Sequence, residues 1–350
     1  MYFRKMNFLK IILSPFSVLY WATTSIRNTC FNIGLLKQYT SSIPVISIGN
    51  LSMGGTGKTP HVAYILDLLS NYSTAVISRG YGRKGTELID GKILSHKAID
   101  MGDEPMELLS KFESPKFKMI VDGNRKRALK YLEDHKSKTT IVLLDDGFQH
   151  RYANRNLNII LSDYNNPFYT DFIVPLGTLR ESRNGAKRAD IIIITKCKST
   201  LSFEEKKTIK VRISNYSKAV VYFSEINYTD FKNTNSQKIN LNKNYLVITG
   251  IANPKPIYEY LSKQNINFEA VSFSDHHNFS NKDIEYIKSK SIDFDGIITT
   301  EKDWMRLKET KLQSLIKIEI FRLEIGITFI DKEDTKHFNH LITKTLNISK

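Results

Sequence analysis

A cluster of glycines placed between an apolar run and a helix start constrains this chain more than any other feature in it. Residues 52–59 read Ser52-Met53-Gly54-Gly55-Thr56-Gly57-Lys58-Thr59. Pro44-Val45-Ile46-Ser47-Ile48 precedes them and reads as a buried strand. Pro60 follows in the first turn of the expected helix, where its missing N–H is tolerated. Strand, glycine-rich loop and helix in that order make a phosphate cradle. Glycines let backbone N–H groups point into a concave nest, and the helix N-terminus adds a positive dipole end. Lys58 would reach the β- and γ-phosphates of a nucleoside triphosphate, and the Thr59 hydroxyl would ligate Mg²⁺. Ser52 stands where the strict pattern has glycine. A glycine turn without a ligand is the competing reading, and Gly-Lys-Thr after a buried strand counts against it.

Around this loop, short β-branched runs alternate with helical patterns. Strands are expected at 45–48, 74–78, 118–121, 141–144, 157–161 and 191–195, with helices at 60–69, 105–112 and 125–132. Apolar runs such as Ile191-Ile192-Ile193-Ile194 suit a parallel sheet covered on both faces. The expected fold class is therefore α/β: a doubly wound, mostly parallel sheet of the P-loop NTPase-like kind, with ligands at the carboxyl ends of its strands. The polar stretch 227–244, rich in Asn, Lys and Ser, reads as a linker. A second, smaller α/β set follows, with strands at 245–249, 268–273, 296–300 and 316–323 and helices opening at Pro254, Asn281 and Lys332. The expected division is an N-terminal helix over 1–40, a P-loop domain over 41–226 and a C-terminal α/β domain over 227–350.

Several constellations could carry chemistry. The apolar strand 141–144 runs into Asp145-Asp146-Gly147, which would place a carboxylate beside a metal ion at the strand's C-terminal end. Asp-Asp-Gly is also ordinary turn chemistry, but the upstream loop favours the metal site. In Met101-Gly102-Asp103-Glu104-Pro105, Asp103 suits a helix N-cap and suits a general base or metal ligand equally well. Arg79-Gly80-Tyr81-Gly82-Arg83 and Pro175-Leu176-Gly177-Thr178-Leu179-Arg180-Glu181 each read as a phosphate-clamping loop or as a solvated one. Asp275-His276-His277 fits an imidazole bonded to a carboxylate better than a zinc site, because adjacent side chains diverge. Thr299-Thr300-Glu301-Lys302-Asp303 ends a strand, again where α/β ligands bind.

The chain carries 51 Lys and Arg against 36 Asp and Glu, a formal net charge of +15. That excess suits an anionic membrane surface or a phosphorylated substrate, while the Lys-, Ile- and Asn-rich composition offers nucleotide bias as a plain alternative. Aromatic residues are not interleaved with arginine, so no nucleic-acid platform is expected. Two cysteines, Cys30 and Cys197, make no disulfide framework. Near the N-terminus, Arg4, Lys5 and Lys10 precede an apolar, aromatic stretch that runs through Trp21 to Ile26. Interrupted by Pro15 and rich in Ser and Thr, it is a poor transmembrane span. A helix lying in the bilayer interface fits it better than a helix packed on the core.

Taken together, these motifs resemble the tetraacyldisaccharide 4'-kinase family. The matching residues are Gly49-Asn50-Leu51 leading into Gly54–Pro60, Arg79–Gly82, Gly102–Pro105, Asp145–His150, Pro175–Gly177 with Leu179–Glu181, Asp275-His276 and Thr300–Asp303, in the family's order. The resemblance implies ATP- and Mg²⁺-dependent phosphorylation of the 4'-hydroxyl of a tetraacyl-glucosamine disaccharide 1-phosphate, giving lipid IVA. It implies an enzyme, expected as a monomer, resting on the cytoplasmic face of the bacterial inner membrane and contacting its lipid surface. It tips Asp103 toward general base, with His276 tuning it from the second domain and Arg180 stabilising the transferring phosphoryl group. Thr59, Asp145 and Glu181 would hold Mg²⁺. Ser52 agrees with the family, which carries Thr or Ser there; Thr178 replaces a frequent proline.

The alternative from another class is a membrane-associated P-loop ATPase or GTPase switch. A partitioning-type ATPase would carry an extra lysine where this chain has Ser52-Met53, and a GTPase would want Asn-Lys-x-Asp where the nearest match is Thr195-Lys196-Cys197-Lys198. A soluble small-molecule kinase with a core-packed first helix is the third reading.

Overall fold

A computed structural model describes residues 8–83, 85–91, 98–135, 138–233, 239–275 and 277–346. In chain order the elements are α1 (Phe8–Asn32), β1 (Val45–Asn50), α2 (Lys58–Leu68), β2 (Thr74–Ser78), β3 (Ile89–Asp90), α3 (Ala98–Met101), α4 (Asp103–Lys111), β4 (Phe117–Val121), α5 (Arg125–Asp134), β5 (Ile141–Asp145), β6 (Leu157–Asp163), β7 (Ile191–Thr195), α6 (Phe203–Ser214) and β8 (Val220–Lys232). They continue with β9 (Asn244–Thr249), α7 (Lys255–Lys263), β10 (Asn267–Ser272), α8 (Asn281–Lys290), β11 (Gly296–Thr300), α9 (Glu301–Leu307), α10 (Leu312–Leu315), β12 (Glu319–Phe329) and α11 (Lys332–Thr345).

The described strands form one continuous sheet in the order β10-β9-β11-β12-β8-β7-β6-β1-β5-β2-β4-β3. Most pairs are parallel; β3 against β4 and β12 against β8 are antiparallel. Every residue of β1, β2, β5 and β7 is buried, as helices on both faces require. The strand period of two splits their side chains cleanly. Ile46, Ile48, Leu143, Ile191 and Ile193 pack with α2, α4 and α11 on one face. Val45, Val142 and Leu144 face α5, while Ile192 and Ile194 face α6.

Two features of the expected division differ. The boundary at 226/227 falls inside β8, whose first residues pair with β7 (Ile191↔Val220) and whose later ones pair with β12 (Phe329↔Ser224 to Arg322↔Lys232). The polar run from 227 is thus partly strand: Asn227 stands opposite Gly326 in the ladder, which needs backbone groups and not apolar side chains. The last helix also returns to the first half. Phe338 and Ile342 of α11 are buried in the core that holds Ile46 and Val62, and Tyr64 donates to Asn339 at 3.0 Å. The short β3 had no signal in the sequence reading.

No described helix is long and apolar enough to cross a membrane. One side of α1 is pinned to the loops around the sheet's carboxyl ends. The Ser17 hydroxyl donates to Ile173 O at 3.2 Å, Tyr20 to Arg180 O at 3.1 Å and Arg27 to Gln149 O at 2.9 Å. Its other side exposes Phe16, Val18, Leu19 and Ile26, each about 60–65% accessible.

Candidate active site

The glycine-rich loop leaves β1 and enters α2, as its sequence implies. Gly57 occupies the N-cap with φ +83°, a left-handed conformation that a side chain would strain. Lys58 and Thr59 open the helix, and Pro60 lies in the first turn, where N–H groups have no intrahelical partner. The loop is gripped through its carbonyls and side chains. Thr195 donates to Thr56 O at 2.9 Å, the Lys196 ammonium to Gly55 O at 2.5 Å, and Asn50 Nδ2 to the Thr56 hydroxyl at 3.0 Å. Met53 N–H donates to Thr178 O at 2.7 Å, and Thr178 is itself tied to Asp171, so this loop is stiff without a proline.

His61 holds the loop from beneath. It is buried, with Nδ1 at 2.7 Å from Gly57 O and Nε2 at 3.0 Å from the Ser224 hydroxyl. Burial pushes its pKa down to about 4, so the ring is neutral and Nδ1–H donates to Gly57 O. The sequence reading missed His61 because a lone histidine in a helix carries no pattern.

Asp145 and Asp146 sit beside each other at the end of β5 in different electrostatic settings. The Asp145 carboxyl is raised by burial first, then by Glu104 and Asp146. Ser78 donates to its Oδ2 at 3.0 Å, while its buried Oδ1 has no hydrogen-bond partner among the described residues. Burial alone would raise Asp146 as well, but Lys58 at 3.8 Å and Arg180 at 2.8 Å outweigh it and hold that carboxyl below its ordinary range. Lys58, Asp146 and Arg180 therefore form one charged row beside the loop. The orphaned Asp145 oxygen, a hard anionic ligand close to the phosphate cradle, fits a divalent cation such as Mg²⁺ with the Thr59 hydroxyl as second donor.

Glu181, read from sequence as a third metal holder, has both oxygens engaged. Asn28 of α1 donates to Oε2 at 2.7 Å, while Gln149 at 3.1 Å and Arg188 at 2.9 Å donate to Oε1. Beside this network lies a cavity of about 350 Å³ lined by Gly123, Asn124, Arg125, Lys126, His150 and Tyr152. Buried Arg125 donates to Asp145 O at 2.9 Å, and burial lowers its pKa to about 10. Burial, then Arg125, lowers His150 to about 4.

Asp103 opens α4 after Gly102, whose φ of +91° and 2.9 Å approach of a virtual Cβ to Tyr81 O admit only glycine comfortably. Its described partner is Arg306 of α9, 203 residues away, with Nε donating to Oδ2 at 3.0 Å. His276, expected to tune Asp103, lies outside the described residues. Its neighbour His277 faces Asp283 at 3.0 Å and stacks on Phe273.

The family model for tetraacyldisaccharide-1-P 4'-kinase (LpxK) matches residues 9–347. A tetraacyldisaccharide 4'-kinase of Flavobacterium psychrophilum is 43% identical, covering 98% of this chain and 100% of that protein. The Bacteroides thetaiotaomicron protein of the same description is 39% identical, covering 96% and 94%. Among solved structures, LpxK from Aquifex aeolicus, crystallised in complex with ATP, superposes with TM-score 0.74 at 25% identity, covering 97% of this chain and 99% of that one. The match runs over nearly the whole length, and the chain belongs to the tetraacyldisaccharide 4'-kinase family.

Proposed function

We infer that this chain transfers the γ-phosphoryl group of ATP to the 4'-hydroxyl of a tetraacyldisaccharide 1-phosphate, giving lipid IVA. The observation that carries the chemistry is the meeting of the Lys58 loop with Asp145, whose buried Oδ1 has no hydrogen bond among the described residues. In the step itself, Asp103 takes the proton of the 4'-hydroxyl as its oxygen bonds to the γ-phosphorus. The bond from that phosphorus to the β–γ bridging oxygen breaks, and ADP leaves with the electron pair. Lys58 and the loop amides hold the phosphates, and Arg180 answers charge on the transferring group. Thr59 and Asp145 would hold Mg²⁺, which supplies neutralisation of the phosphate charge. Glu181 accepts from Asn28, Gln149 and Arg188 and so ties α1 to the site, and a carboxylate with about four acceptor positions keeps room to join that ligand pair. The basic cavity beside Arg125 and Lys126 suits an anionic group of the lipid substrate.

The exposed apolar side of α1, together with the net charge of +15, supports docking on an anionic lipid surface, on this reading the cytoplasmic face of the inner membrane, with the enzyme a monomer. The test is ATP-dependent phosphorylation of purified tetraacyldisaccharide 1-phosphate in detergent. The wild type should transfer phosphate to the 4'-position, and Lys58→Ala should lose about a thousandfold in turnover. Lys58→Ala with undiminished transfer would sink the assignment.

A further inference from the structure

The segment Thr300-Glu301-Lys302-Asp303 has so far received no chemical role, yet it builds a buried chain of contacts that ends on Asp103. Thr300 is the N-cap of α9: its hydroxyl accepts from Asp303 N–H at 3.0 Å and donates to Asp303 Oδ2 at 2.8 Å. The same Oδ2 accepts from Gly250 N–H at 2.9 Å, which ties the end of β9 to this turn. Asp303 is fully buried, and its Oδ1 stands 3.5 Å from Arg306 Nη1, one turn along the helix. Arg306 then reaches out of the second α/β half to the first residue of α4. Nε donates to Asp103 Oδ2 at 3.0 Å, and Nη2 donates to the same oxygen. The Arg306 side chain is only 6% accessible and that of Asp103 only 16%.

A buried ion pair is weak evidence for stability, because desolvation offsets most of its attraction; fixing geometry is its better-attested use. The buried guanidinium meets Asp103 on its Nε and Nη2 side and has the Asp303 charge 3.5 Å from Nη1, so it has little freedom to turn. Nε and Nη2 both meet Oδ2 of Asp103 and fix where that oxygen lies. We propose that Arg306, oriented by Asp303, is a positioning residue for the reaction: its fork aligns the Asp103 carboxylate for the sugar hydroxyl. Asp103 is then competent only when the second half of the sheet is packed against α4. This rests on the reading of Asp103 as general base.

The experiment is a double-mutant cycle in the phosphorylation assay, with ATP KM, turnover and melting temperature read for each variant. Arg306→Lys keeps the charge and loses the fork. It should lower kcat about tenfold, leave ATP KM within about twofold and leave the melting temperature near wild type. Asp103→Asn should collapse kcat, and adding Arg306→Lys to it should cause no further loss, because Arg306 works through Asp103. Arg306→Met should go beyond Arg306→Lys in kcat while sparing ATP binding. Wild-type kcat in Arg306→Lys, or losses that multiply in the double variant, would overturn the positioning role alone. Substantial turnover in Asp103→Asn would overturn the general-base reading, and the positioning role with it.

Discussion

The two halves of the sheet end their strands in similar chemistry and put it to opposite uses. In the first half β5 ends on Asp145; in the second, β11 runs into Thr300 and Asp303. Both acids are buried, and burial raises the carboxyl of each. Asp303 has the Gly250 amide and the Thr300 hydroxyl on Oδ2, and its other oxygen, without a hydrogen bond among the described residues, faces the Arg306 guanidinium at 3.5 Å. Asp145 has Ser78 on one oxygen and, among the described residues, no hydrogen bond on the other, with Glu104 and Asp146 adding repulsion. A buried carboxylate whose bare oxygen faces a guanidinium is neutralised from within the chain and serves as scaffold. One left buried, crowded by like charge and short of a donor waits for a cation.

That contrast can be broken most sharply by the same conservative change in each half. Asp145→Asn should cost about a hundredfold or more in turnover, while stability holds level or rises, because a repelled buried charge is removed. Asp303→Asn should do the reverse, losing about 1–3 kcal/mol of stability and less than tenfold in turnover. Urea denaturation beside the phosphorylation assay separates them; equal profiles for the two variants would dissolve the distinction.

A smaller effect distinguishes the halves by pH. His61 and His150, both in the first half, are held neutral, with pKa values lowered to about 4 by burial. The unfolded chain takes up these protons near pH 6.5 and the folded chain only near 4, so stability falls as pH drops through that window and then levels. Each ring contributes at most about 3 kcal/mol. Urea midpoints of wild type and His61→Asn between pH 7 and 4 should converge as the pH falls; parallel curves would remove His61 from the account.

The smallest expected effect lies at the rim of the loop. Lys196→Met removes the 2.5 Å bond to Gly55 O and the 2.7 Å pair with Asp163. It should raise ATP KM about two- to fivefold with kcat close to wild type. A change in kcat instead would mean that Lys196 does more than steady the loop.

Much of the P-loop half is legible in residue order, because its signals are local. A buried strand, Gly57 and Lys58 are consecutive in the chain, and an apolar strand running into Asp145 is a pattern of five residues. Even β2 and β7 fall where their β-branched runs put them. The second half is harder to read. Residues 227–232 look like linker, yet they are ladder against β12, because strand pairing needs backbone groups more than apolar side chains. Helix α11 looks like the close of a second domain, but Phe338 and Ile342 fill the core of the first.

The site divides in the same way. Residue types and spacing suffice to nominate Lys58, Thr59 and Asp145 as a candidate phosphate and metal constellation, since a nest of amides, a cation and a strand-end acid are each set by neighbours in sequence; Arg180 joins them through the family resemblance. The partners of these residues were decided only by the tertiary structure: His61 and Lys196 under the loop, Asn28 on Glu181 and Arg306 on Asp103. Burial and charge pairing depend on which distant segments pack together, and a contact across 203 residues leaves no periodicity to read.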